Sequence, residues 1–167
     1  MSEATNLAAT EAEVVVVSTS KKWLEIASTA LDEFVETAIG EKMVIGEDTE
    51  KASRGYGGYL QLSSDESAVI LGLVCTDAGA DAVTRGLLMM EADEEVTTED
   101  KSDAIGEVVN VFGGTMKTLA KGLGGDLKLD LPFIVQGRIS VLRGTDVYSR
   151  QVSFCGEDHW LTVIIRG

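Results

Sequence analysis

One short stretch of this sequence carries polar side chains at a spacing suited to chemistry. Asp103, Glu107 and Asn110 follow one another at intervals of four and three residues, so a helix would place all three on one narrow face. Carboxylates attract cations, and an amide both donates and accepts hydrogen bonds without becoming charged. This polar stripe (Asp103, Glu107 and Asn110) is therefore suited to holding water or the polar groups of a partner.

Three glycines accompany the polar stripe: Gly106 and Gly113 lie beside it, and Gly114 lies within it. A glycine costs a helix interior about 1 kcal/mol relative to alanine, so three of them need a reason. Clearance is one, because a partner's backbone could then approach Glu107 and Asn110 closely. The alternative is an ordinary solvated helix face, and the pattern alone favours that alternative.

The helix that carries the stripe is well marked. Thr97 or Thr98 is expected to cap it, acidic residues follow in its first turn, and its end is expected near Lys121, before a run of glycines. An apolar face lies opposite the stripe and predicts burial against a core. Its residues are Ile105, Val108, Val109, Phe112 and Met116.

The stripe resembles the Asp-x-x-x-Glu-x-x-Asn active-site signature of the CheC/CheX/FliY chemotaxis phosphatases. The preceding Thr-Glu-Asp segment and the following Asp-Leu-Lys-Leu-Asp-Leu-Pro segment are similar to the CheX branch, and the likeness extends from about Trp23 to Ile165. Some relatives carry a second signature. The nearest counterpart here has Asp32 and Glu36 but Ile39 in place of the amide, so we expect one site.

The resemblance implies removal of the phosphoryl group from the aspartyl phosphate of a CheY-like receiver domain. Asn110 would orient the attacking water, and Glu107 would dock the receiver's lysine. Asp103, with Gly106, Gly113 and Gly114, would face the partner. The receiver would supply its own Mg²⁺, so neither a metal site nor a cofactor is expected in this chain. No covalent intermediate is needed, and no Cys/His or Ser/His arrangement is apparent.

Two alternatives remain. The chain could be a non-catalytic module of the same fold, as in flagellar switch proteins, or a dimeric scaffold in another signalling pathway. Retention of both Glu107 and Asn110 argues against the first. The resemblance also implies a homodimer with sheets joined across subunits, and Leu161–Ile165 lacks the proline or charge that commonly blunts a sheet edge.

Composition limits the remaining possibilities. The 167 residues fit a tail over 1–20 and a single domain over 21–167, and 44% hydrophobic residues can form a core. A net charge of −14 disfavours binding to nucleic acid and to anionic membranes. The first residues lack a basic start and an apolar stretch, so we expect a cytoplasmic protein.

The chain predicts an α+β fold, with two long helices and a shorter one packed on a largely antiparallel sheet. Cys75 and Cys155 are expected to be buried, unpaired thiols, His159 to be structural or incidental, and Met89 and Met90 to fill the core. The helices are expected at 21–39, at 77–90 and from 98 to about 121, and the strands at 43–45, 55–62, 67–74, 127–131, 133–135, 139–142, 147–155 and 160–165.

Overall fold

The computed structural model describes residues 21–48, 52–123, 126–140 and 146–166. The tail expected over residues 1–20 lies outside these ranges. The helices are α1 (21–34, continued by a π-helical turn over Val35–Ile39), α2 (Asp77–Leu88) and α3 (Thr98–Leu119). The strands are β1 (Val44–Asp48), β2 (Ala52–Ser63), β3 (Ala68–Thr76), β4 (Lys128–Leu129), β5 (Phe133–Ser140), β6 (Val147–Phe154) and β7 (Glu157–Arg166).

The strands form one seven-stranded sheet in which the described pairings are antiparallel. The order is β1-β6-β7-β3-β2, and the far edge of β2 pairs with β5 along Ala52–Tyr59 and with β4 at Leu62–Ser63. Strands β2 and β3 form a hairpin, with Ser63 opposite Ala68. The α+β prediction of three helices on a largely antiparallel sheet is confirmed.

Local signals set the helix ends as the sequence predicted. Gly40 ends α1 in the left-handed region, at φ 80°, and its N–H donates to the Val35 carbonyl at 3.0 Å. Glycine meets no steric penalty there. Thr76 caps α2 by accepting a hydrogen bond from the Gly79 N–H at 2.9 Å.

The main core lies between one face of the sheet and the three helices. Alternate residues of the central strands point into it, because successive side chains of a strand face opposite ways. These include Leu60, Leu71, Leu73, Leu161 and Val163, all fully buried. The other face of the sheet holds a smaller buried cluster of Val74, Ile139 and Trp160. Both faces of β7 therefore contribute apolar side chains to buried clusters.

Leu161–Ile165 does not form an open edge of the sheet. These residues belong to β7, which lies inside the sheet between β3 and β6. The strands at the margins are β1 on one side and β4 and β5 on the other. The absence of proline and charge from Leu161–Ile165 reflects burial between neighbours rather than an open edge.

Other differences are local. The strand predicted at 127–131 shrinks to Lys128–Leu129, whereas Phe133 to Ser140 is a single strand. Met89 is not in the core: it caps α2 at φ 53° and is 88% exposed. Cys155 is only half-buried, because it forms a two-residue turn with Gly156 in which both have positive φ.

Candidate functional site

A capping box fixes the start of α3, the helix that carries the polar stripe. The Thr97 hydroxyl accepts a hydrogen bond from the Asp100 N–H at 3.1 Å, and the Asp100 carboxylate accepts one from the Thr97 N–H at 2.9 Å. The Thr97 hydroxyl also donates to the Asp100 carboxylate, at 2.7 Å, and the hydrogen bonds that this carboxylate accepts from the Thr97 N–H and hydroxyl lower the pKa of Asp100. Of the two predicted caps, Thr97 is the one used, and both partners satisfy backbone groups that the helix itself leaves free.

The buried face of α3 packs on the sheet as the apolar periodicity predicted. Ile105, Val108, Val109, Phe112 and Met116 are each fully buried. Lys101 joins α3 to α2, because its ammonium lies 3.2 Å from a carboxylate oxygen of Asp77. The helix is therefore held from below by the sheet and from one side by α2.

The polar stripe lies on the outer face of α3. Asp103, Glu107 and Asn110 are all exposed. Within the described part of the chain, none of the three side chains makes a hydrogen bond or an ion pair. Their spacing alone brings them together, and their polar atoms are open to a partner or to water.

The three glycines beside the stripe have different surroundings. A Cβ added to Gly114 would meet no described atom within 4 Å, and one added to Gly106 would lie 3.7 Å from Ile134 Cδ1, an ordinary contact. Gly113 is buried, and its Cβ would lie 2.7 Å from Leu60 Cδ2. Gly113 therefore lies at the edge of the buried face of α3 and faces the sheet. Gly106 and Gly114 lie beside the outer face.

Strands β4 and β5 run along one flank of α3, which the sequence did not reveal. Leu129 lies beside Gly113, and Ile134 lies beside Gly106. The connection between them therefore passes along the flank on which Asn110 lies, and it carries Leu131, 88% exposed. The local sequence signal in this connection is Pro132, which indicates the end of a strand and not a surface beside α3.

The partial second signature on α1 does not form a comparable site. Asp32 Oδ1 accepts a hydrogen bond from the Met43 N–H at 3.3 Å, so this carboxylate holds the segment before β1. Glu36 is exposed, and Ile39 is half-buried against the main core.

Two other features are absent from the described ranges. No group of three or more His, Cys, Asp or Glu side chains there is placed to hold a metal ion. Among the helices of these ranges, none is long and apolar enough to cross a membrane.

The seven-stranded antiparallel sheet with its three helices is a fold of the CheC/CheX type. The family described as chemotaxis phosphatase CheX matches residues 56–146, which is more than half of the chain and includes the whole polar stripe. This chain therefore belongs to the CheX family of chemotaxis phosphatases. No curated protein matches it.

Solved structures show the same fold at low sequence identity. A chemotaxis protein CheX from Desulfovibrio desulfuricans is 17% identical, with a TM-score of 0.72 over 87% of this chain and 99% of that one. CheX in a CheX–CheY–BeF₃–Mg²⁺ complex from Borrelia burgdorferi is 20% identical, with a TM-score of 0.67 over 88% and 97% of the two chains. The FliM middle domain from Vibrio alginolyticus is 8% identical, with a TM-score of 0.55 over 89% and 92%.

Proposed function

We propose that this protein hydrolyses the aspartyl phosphate of a CheY-like receiver domain, with Glu107 and Asn110 as its catalytic residues. The observation that carries the proposal is the exposure of both side chains, one turn apart, on the outer face of the helix inside the matched segment. The Borrelia relative, whose structure is a complex with CheY, supports the choice of partner.

The proposed reaction asks little of the phosphatase. An aspartyl phosphate is a reactive acyl phosphate, and water attacks its phosphorus in line with the leaving carboxylate oxygen. The phosphorus–oxygen bond to aspartate breaks, which releases a free carboxylate and inorganic phosphate, and the proton of the water passes to phosphate. The Asn110 amide holds the water on that line by donating to it and accepting from it, so catalysis comes mainly from positioning.

Glu107 has a different role in this proposal. Its exposed carboxylate pairs with the lysine of the receiver's active site and so sets the register between the two proteins. Asp103 lies one turn earlier on the same face and adds negative charge, and Gly106 and Gly114 leave room for the receiver's backbone. Mg²⁺ stays with the receiver's own carboxylates and neutralises phosphoryl charge there.

A structural module is the second candidate, and the likeness to the FliM middle domain favours it. Such a module would bind a partner without accelerating dephosphorylation. The two functions differ in one measurable quantity, the rate of phosphoryl loss from the receiver.

The test is single-turnover decay of phosphorylated receiver domains from the same genome, with binding measured separately on a receiver carrying a phosphoryl mimic. Asn110→Ala should lose most of the acceleration but still bind, because only the water is released. Glu107→Ala should lose both rate and affinity. Glu36→Ala is the matched control, since it removes an exposed carboxylate from another helix and should change neither quantity.

Each variant should unfold within about 0.5 kcal/mol of wild type, as exposed substitutions generally do. Wild-type decay rates in both Asn110→Ala and Glu107→Ala would overturn the assignment of the site. If the wild-type protein binds a receiver but accelerates the decay of none, the structural module is the correct function.

The proposed assembly is a homodimer in the cytoplasm, where receiver domains signal. The dimer rests on the resemblance, and its joining strand is one at the margin of the sheet, β1, β4 or β5, since β7 is internal. Light scattering at micromolar concentration should give twice the monomer mass of 17.8 kDa. A monomer mass would refute this part of the proposal.

A further inference from the structure

The seat of α3 on the sheet depends on a glycine of the neighbouring strand. Gly58 of β2 lies directly beneath α3, and a Cβ built on it would stand 2.7 Å from Ile105 Cγ2 and 2.7 Å from Val109 Cγ2. It would also lie 3.3 Å from the Ile105 carbonyl oxygen. Carbon atoms do not approach so closely, so the helix can rest at its present height only above a residue without a side chain.

The two clashing methyl groups have little freedom to move aside. Ile105 and Val109 are β-branched, so each Cγ2 is attached directly to Cβ, and a helix strongly favours one χ1 rotamer for such residues. Both side chains are also fully buried, in an interior that leaves few empty volumes. A side chain at position 58 would therefore displace the α3 backbone rather than only reorient its side chains.

The displaced turn is the one that carries the proposed site. Glu107 lies between Ile105 and Val109 in sequence, and Asn110 follows Val109 directly. We propose that Gly58 is a positioning residue for the phosphatase site, because it sets how far Glu107 and Asn110 stand above the β4–β5 connection beside them. This inference rests on the proposed function.

The height of the helix matters because a receiver is wider than one helix face. A specific protein interface covers roughly 800 Å² on each partner, so a receiver docked on the polar stripe must also rest on the neighbouring elements. The β4–β5 connection, with exposed Leu131, is one such element. Raising α3 relative to it tilts or shifts the phosphoryl group relative to the water held by Asn110.

Rate and affinity respond differently to such a shift. In-line attack depends on ångström-scale placement, and a 1 Å error can cost about 100-fold in rate. An ion pair between Glu107 and a lysine weakens only gradually with distance. Gly58→Ala should therefore slow decay at saturating phosphatase by about 10- to 100-fold, while the affinity for a receiver carrying a phosphoryl mimic changes by less than about threefold.

Two control variants show whether the effect is specific. Gly122→Ala adds the same methyl group where no described atom lies within 4 Å and should keep the wild-type rate. Val152→Ala removes core volume from β6, which is separated from β2 by β7 and β3. Assayed well below its melting temperature, it should also keep its rate, so general destabilisation does not account for the loss.

A compensating substitution supplies the decisive comparison. Val109→Ala removes one of the two methyl groups with which a side chain at position 58 would clash. The double variant Gly58→Ala/Val109→Ala should therefore dephosphorylate the receiver faster than Gly58→Ala alone. Crystal structures of wild type and Gly58→Ala should show α3 displaced away from β2. A helix that stays in place in Gly58→Ala, or a wild-type rate in that variant, would overturn the inference.

The proposed function can fail separately. A wild-type protein that accelerates no receiver refutes the phosphatase activity and the kinetic consequence of Gly58 with it. The crystal comparison of Gly58→Ala still decides whether Gly58 sets the height of α3.

Discussion

Replacing Gly114 with alanine should make the protein more stable and less active. Gly114 lies inside α3, at a helical position with no described atom within 4 Å of an added Cβ. Alanine loses less backbone entropy than glycine on helix formation, and the difference is about 0.8–1 kcal/mol. For a chain of this size each kcal/mol raises the melting temperature by about 2–4 °C, so thermal unfolding should shift upward by a few degrees.

The activity should change in the opposite direction. Gly114 follows Asn110 by one helical turn, on the face where the receiver is proposed to dock. An extra methyl group in a closely packed contact costs about 1–3 kcal/mol, which corresponds to roughly a 5- to 150-fold loss of affinity. The combination of higher stability and weaker dephosphorylation distinguishes clearance for a partner from an incidental glycine.

Gly113→Ala is the matched comparison within the same helix. It has the same gain in helix propensity, but its Cβ would lie 2.7 Å from Leu60 Cδ2 in the core, so its stability should rise less than that of Gly114→Ala. Thermal unfolding and single-turnover decay on the three proteins test the reasoning. Unchanged decay in a stabilised Gly114→Ala would refute clearance, and unchanged stability would refute the propensity argument.

Two further predictions concern buried groups away from the site. His159 is fully buried, its Nε2–H donates to the Phe154 carbonyl at 3.1 Å, and burial lowers its pKa from 6.5 to about 4. As pH falls from 6.5 towards 4, the unfolded chain therefore takes up a proton on His159 before the folded chain does. Wild type should lose up to about 3 kcal/mol of unfolding free energy over this range, and His159→Gln should not show this loss. Urea unfolding that gives both proteins the same dependence of stability on pH would contradict this. Burial also raises the pKa of both thiols, that of Cys155 to about 11. Alkylation at neutral pH should therefore be slow and should reach half-buried Cys155 before fully buried Cys75. Peptide mapping that finds a disulfide, or that finds Cys75 labelled first, would contradict this prediction.

The sequence determined the features of the site that depend on neighbours along one helix. Thr97 and Asp100 marked the start of α3, the apolar spacing identified its buried face, and the intervals between Asp103, Glu107 and Asn110 placed them together on the outer face. These features could be predicted because helix geometry relates residues three and four apart, whatever the rest of the fold does. Alternation of side chains identified most strands for the same reason.

The tertiary structure decided the features that depend on distant segments. The helical spacing placed Gly113 beside the polar stripe and Gly114 within it, but only the packing of α3 shows that Gly113 faces Leu60 in the core. Arg150 is buried because Glu25 and Asp48, on α1 and β1, both reach its guanidinium, at 2.9 Å and 2.7 Å. The internal position of β7 and the seat of α3 on Gly58 likewise come from contacts between segments far apart in sequence. A glycine has no side chain that would indicate its role, and hydrophobic spacing along a helix or strand does not show which other strand will pack beside it.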